Sequence, residues 1–182
     1  MTNQREANVA ERYDGVTIAL HWISALLVLV LWGMAQLADL APRGDPRHAI
    51  WSVHIALGIG LAGFVLARIV WRMGPSRAPV SAERGHGSRM AVAMHLALYA
   101  LLAAVLFLGV ANTAARDWDL FGFVKIPAFA PDDRALRRTI NEWHELAANL
   151  TLVLAILHAG AAMFHHVIRR DQVLKRMLPA RQ

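Results

Sequence analysis

The chain has 182 residues, of which 57% are hydrophobic and only 18% charged, below the roughly 25% charge of typical soluble domains. Its net charge of +6 would suit a nucleic-acid binder, but such proteins gather Lys and Arg on one solvated face; here they fall between long apolar runs, which excludes that class. The absence of cysteine excludes disulfides, iron–sulfur clusters and covalent c-type haem attachment, so a redox cofactor must be held by His or Met.

Met1–Glu11 is polar and carries two acids, so it does not read as a signal peptide, and the first apolar run is expected to remain as a membrane anchor. Four apolar stretches follow, over about 16–38, 49–71, 90–112 and 143–168. Each is near the length that crosses about 30 Å of hydrocarbon at about 1.5 Å per residue. Pro42 and Pro46, Pro75 and Pro79, and Pro127 and Pro131 stand in the connections, where proline breaks no helix. The expected fold is all-α, a four-transmembrane-helix bundle forming a single membrane domain over 1–182.

Lys and Arg counts in the connections set the orientation. Arg5 and Arg12, the group Arg68, Arg72, Arg77, Arg84 and Arg89, and the tail residues Arg169, Arg170, Lys175, Arg176 and Arg181 put twelve on one side. Arg43, Arg47, Arg116, Lys125, Arg134, Arg137 and Arg138 put seven on the other, and the acids lean the opposite way, five against eight. Both termini are therefore expected on the cytoplasmic side. The connection from Ala114 to Asn141 carries Trp118, Leu120, Phe121, Phe123, Ile126 and Phe129 among its charges. It is expected to fold back on the outer face of the bundle or to rest on lipid headgroups.

Nine histidines are present, and His21, His54, His95, His144, His158 and the pair His165/His166 fall in or beside the apolar stretches. An ionisable residue inside a membrane helix is costly and marks function by default. Neutral imidazoles facing the interior of a bundle suit axial ligation of haem iron. By depth, His54 and His144 are level near the outer face. His158 lies about 21 Å further along the fourth helix and within about 40° of the same face as His144, because fourteen residues make two heptads. The inner partner of His158 is His21 or His95, which spacing alone does not separate. His48 and His86 sit in connections and read as solvated.

Arg68 stands fourteen residues after His54, on the same face and at the inner depth, where a guanidinium neutralises a haem propionate or simply snorkels to the interface. His165, seven residues past His158, is placed to meet a propionate, a quinone oxygen or the membrane surface. Gly33, Gly58, Gly60, Gly63, Gly109 and Gly160 allow close approach of helices or of a macrocycle.

Ala19-Leu20-His21-Trp22, Trp51-Ser52-Val53-His54 with Arg68 and Arg72 following, and Trp143-His144-Glu145-Leu146-Ala147 leading to Leu157-His158 resemble the bacterial cytochrome b561 family. So do Phe121-Gly122-Phe123 to Ile126-Pro127 and the tail Met177-Leu178-Pro179, so the likeness runs from about Arg12 to Pro179. It implies an inner-membrane cytochrome with two haem b groups between its helices, His21 paired with His158 and His54 with His144, and His95 serving the inner site or a quinone. It also implies superoxide oxidation with ubiquinone as electron acceptor, or, in other members, electron transfer between quinone and a dehydrogenase or hydrogenase partner. Superoxide is an anion, so an enzyme of this kind needs a small basic opening near the outer haem, for which Lys125, Arg134, Arg137 and Arg138 are the candidates, with Asp117, Asp119, Asp132 and Asp133 among them. A haem-carrying conduit instead needs a broad docking face for its partner protein. A proton-relay transporter would expect intramembrane acids and broken helices, and the helix centres hold neither acid nor proline.

Overall fold

The computed structural model describes residues 12–74 and 86–179. Arg5, Arg77, Arg84 and Arg181 of the charge count, Pro75 and Pro79, and the side chain of His86 lie outside the described residues. Four long helices are present: α1 Gly15–Leu40, α2 Asp45–Met73, α3 His86–Ala114 and α4 Arg134–Phe164. All four are long and apolar enough to cross a membrane, and large apolar side chains such as Leu26, Leu66, Phe107 and Ile156 point outward, as helices solvated by lipid require.

Local chemistry sets the helix ends. Asp14 caps α1, its carboxylate accepting from Thr17 N–H at 2.9 Å and from the Thr17 hydroxyl at 2.6 Å. The same carboxylate takes the indole N–H of Trp71 at 3.0 Å, which ties the start of α1 to the end of α2. Gly44, at φ 102°, makes the turn into α2, and Arg47 fastens that turn by donating to the Ala41 carbonyl at 2.7 Å and the Asp39 carbonyl at 3.0 Å. Pro46 is not in a connection, as the sequence suggested, but in the first turn of α2, where its missing N–H has no intrahelical partner to lose. Likewise α4 begins at Arg134 and not near Trp143; Asp133 caps it by accepting from Leu136 N–H at 2.8 Å.

Between α3 and α4 a short antiparallel hairpin forms from β1 Trp118–Leu120 and β2 Val124–Ile126. Trp118 stacks on His48 at 4.9 Å with 9° between the rings. His48 is thus packed on the first turn of α2 and is not solvated in a connection. After α4 the chain makes one π-helical turn, His165–Arg169, and a 3-10 turn, Leu174–Met177.

The helices associate as two antiparallel pairs, α1 along α2 and α3 along α4, and the pairs touch each other more lightly. Leu31, Leu61 and Val65 form the buried centre, with Leu27, Val28, Leu57, Leu102 and Leu106 against it. Trp32 on α1 reaches across to α4, donating to the Asn149 side-chain carbonyl at 2.8 Å. The apolar centre lies at mid-height and leaves histidines above and below it. The end at which the described chain enters α1 and leaves α4 is called the terminal end, and the opposite one the hairpin end.

Candidate functional site: histidine pairs between the helix pairs

Two histidine pairs bridge the seam between the helix pairs. Toward the hairpin end, His54 on α2 faces His144 on α4, ring centres 6.5 Å apart. Toward the terminal end, His21 on α1 faces His158 on α4, also at 6.5 Å. One helix therefore presents a histidine to each layer, as fourteen-residue spacing on one face requires. His95 on α3 approaches His158 more closely, at 5.2 Å. Two imidazoles sharing one metal ion through bonds of about 2 Å place their ring centres about 5 to 6 Å apart, according to the angle between the bonds. The two bridging pairs lie at the upper end of that range and the His95–His158 contact at its lower end.

The surroundings of each pair differ. At the hairpin end His144 Nδ1 donates to the Val105 carbonyl at 3.1 Å, which leaves Nε2 as the free nitrogen; an outer partner of this kind orients metal-bound histidines. A Cβ on Gly109 would meet His144 Cε1 at 3.1 Å, so α3 holds a glycine where the ring lies. The other glycines noted in the helices, Gly33, Gly58, Gly60, Gly63 and Gly160, would accept a Cβ in open space. His54 Nδ1 is buried, beside the backbone of Leu31. At the terminal end Arg68 Nη2 lies 3.1 Å from His21 Nδ1, and its guanidinium stands over the Tyr99 ring at 5.3 Å. Arg68 is therefore at the inner histidine layer. Imidazoles paired across a seam at metal-sharing distance, with an arginine beside one pair, fit haem b by both donor set and spacing.

At the hairpin end the residues beside His144 open into a cavity of about 490 Å³ lined by Arg116, Arg134, Arg137, Arg138, Asn141, Glu142 and Glu145. Arg134, Arg137 and Arg138 are thus brought together, whereas Lys125 sits on β2 and does not line it. Arg138 is engaged by Glu142 at 2.7 Å, an exposed pair that contributes little. Sequence reading missed Arg116 as a member. Asn112 accepts from Arg116 Nε at 3.0 Å and donates to Asn141 at 3.1 Å; the Asn112/Arg116 spacing of four was the available signal. Burial, and then the charge of Arg137, lower the Arg116 pKa.

His165 begins the π turn and is paired with Asp171, a partner that sequence reading did not name. His166 Nδ1 and Arg176 Nε, nearby in the chain, are buried without a partner.

The sequence profile of prokaryotic cytochrome b561 matches residues 12–180. Cytochrome b561 homolog 1 of Escherichia coli K12 is 30% identical over 177 residues, covering 94% of this chain and 99% of that protein. Homolog 2 of the same organism is 30% identical, covering 94% and 93%. A Yersinia pestis protein named probable superoxide oxidase CybB is 28% identical over 180 residues, covering 94% and 98%. With the four membrane-spanning helices and the histidine pairs, these matches identify the chain as a member of the prokaryotic cytochrome b561 family: a bacterial haem b membrane protein of electron transfer.

Proposed function

We propose that this chain is a di-haem b superoxide:ubiquinone oxidoreductase of the bacterial inner membrane, with its hairpin end periplasmic and both termini cytoplasmic. His54 and His144 hold the outer haem, and His21 and His158 the inner one. The 6.5 Å separations are compatible with these pairs, which are the ones the family resemblance implies, and His95, 5.2 Å from His158, lies beside the inner site. Haem b, when bound, carries one electron at a time. The protein's part is to fix the imidazoles, through the Val105 carbonyl at His144, and to set a guanidinium, Arg68, where propionate charge is compensated.

The observation that carries the superoxide reading is the open pocket at the hairpin end that gathers Arg116, Arg134, Arg137 and Arg138, with Glu142 and Glu145 among them. Arg116 and Arg137 repel each other there, and no carboxylate pairs with Arg116, Arg134 or Arg137 among the described residues. A small anion relieves that repulsion, and a positive opening raises its encounter rate by about ten-fold or more. Two superoxide ions leave as two dioxygen molecules and give up two electrons; ubiquinone takes these with two protons and becomes ubiquinol. The name of the Yersinia pestis relative points the same way. In this reading His165, at the terminal end and seven residues past His158, meets a quinone oxygen.

The test is ubiquinol formation by the purified protein in vesicles under a steady flux of superoxide, against vesicles without protein. Protein-dependent ubiquinol, abolished by superoxide dismutase, supports the reading. A protein that holds two haems and forms no ubiquinol would contradict it and leave a conduit for a dehydrogenase or hydrogenase partner.

A further inference from the structure

His165 opens the turn in which α4 widens into π-helix, a feature often found at functional positions. Five residues later Arg170 takes the left-handed conformation at φ 54°, strained for a residue with a side chain. That turn folds the chain back so that Asp171 N–H reaches the His165 carbonyl at 3.1 Å and the Asp171 carboxylate meets His165 Nδ1 at 2.5 Å. The other carboxylate oxygen accepts from Val173 N–H at 3.1 Å.

The segment is then fastened to the start of α1. Tyr13 N–H donates to the Arg176 carbonyl at 3.2 Å, Trp22 Nε1 to the Met177 carbonyl at 2.8 Å, and Arg12 to the Pro179 carbonyl at 3.1 Å. Trp22 adjoins His21, so the clasp ties the segment after His165 to the first turns of α1. The pair still reaches solvent, with side chains 22% and 30% exposed. The Arg170 and Asp171 N–H groups, both donating to the His165 carbonyl, close the turn; a carboxylate on an imidazole nitrogen adds proton chemistry. It accepts the Nδ1 proton and leaves Nε2 as the basic nitrogen.

We propose that Asp171 is a positioning residue for proton delivery to the quinone: it holds the His165 Nδ1–H, supports the imidazolium formed when Nε2 takes a proton from cytoplasmic water, and so readies the Nε2–H for the quinone oxygen. This rests on the quinone reading of His165 given above. Each ubiquinone receives two electrons and two protons; His165 hands over one proton at a time, is reprotonated from water, and ubiquinol leaves with both O–H bonds formed. Asp171 stays ionised throughout. Burial alone would raise its carboxyl pKa, but the hydrogen bonds from His165 and Val173 and the charges of His165 and Arg169 hold it below the usual carboxylate range. The charged or titratable groups of the surrounding elements are His166, Arg169 and Arg170 on the same turn, Lys175 and Arg176 on the 3-10 turn, and Arg12 and Tyr13 before α1. Asp14, the other described acid of this end, is committed to Thr17 and Trp71.

Asp171→Asn tests this in the full-length holoprotein: it removes the charge, and its single amide oxygen accepts from His165 or from Val173 in place of the two carboxylate oxygens. The haems are reduced with dithionite, then mixed with ubiquinone-1 or with ferricyanide, which takes electrons without protons, between pH 6 and 8. Reoxidation by ubiquinone-1 is expected to slow at least about tenfold at pH 8 and to recover toward pH 6, with ferricyanide reoxidation unchanged; Asp171→Glu restores the wild-type profile. In the wild type, heavy water is expected to slow the ubiquinone reaction and not the ferricyanide one, a readout independent of any variant. Equal ubiquinone rates in D171N and wild type at every pH, or no solvent isotope effect, would overturn the proposal. A wild-type protein that ubiquinone-1 does not reoxidise at all would instead overturn the quinone reading of His165 on which it stands.

Discussion

A methyl group on Gly109 would stand 3.1 Å from Cε1 of His144. The ring has little room to yield, because its Nδ1 is committed to the Val105 carbonyl one turn earlier on α3. Packed interiors feel even one added methyl. Gly109→Ala is therefore expected to tilt the His144 ring and shift one of two low-spin haem signals in electron paramagnetic resonance. Gly109→Val is expected to expel the outer haem, leaving one by pyridine haemochrome assay. Two unshifted signals in both variants would break the link between Gly109 and the site.

The inner pair yields a second test. On the proposed pairing, His21→Ala is expected to lose the inner haem, whereas His95→Ala keeps two haems and changes only the spectrum or potential of the inner one, beside which it lies. Haem content of both variants decides it. Loss in H95A with retention in H21A would reverse the assignment.

The membrane class, the four helices and the level of each histidine were legible in the sequence because hydropathy and helical rise alone determine them. The choice between His21 and His95 was not, since both lie at the same depth, and the structure brings both rings to His158. The early start of α4 was hidden because Arg134, Arg137 and Arg138 read as loop charges, although Asp133 is an ordinary helix cap. Arg116 was counted as a topogenic charge, and its tie to Asn112 and Asn141 depends on two helices meeting. Asp171 was missed because its approach to His165 depends on a left-handed arginine, which no glycine announces.

Arg116 supplies a third prediction. Arg116→Gln keeps a donor for Asn112 but removes the charge. The rate of haem reduction by superoxide is expected to fall roughly fivefold or more at low ionic strength and to lose part of its salt dependence, while reoxidation by ubiquinone stays the same. Equal rates and equal salt slopes in variant and wild type would remove Arg116 from the anion path.

Asp14 gives a stability test with a definite sign. Burial alone would raise its carboxyl pKa, but the Thr17 hydroxyl and N–H, then Trp71, hold it below the usual value. A carboxyl depressed in the folded state stabilises the fold above the ordinary carboxylate range, about pH 4, and that contribution disappears as pH falls through the folded-state value. Asp14→Asn is therefore expected to lower the thermal midpoint in detergent at pH 7 and to lower it by less at pH 3. An equal drop at both pH values would contradict the assigned charge and hydrogen-bond origin.

The most direct measurement is stopped-flow mixing of the oxidised, two-haem protein with superoxide, following haem absorbance and then adding ubiquinone. Haem reduction near the encounter limit, slowed by salt and reversed by ubiquinone, is the expected result. Slow or absent reduction in a sample that holds both haems would contradict the superoxide reading, and a purified protein that binds no haem would contradict the histidine pairs themselves.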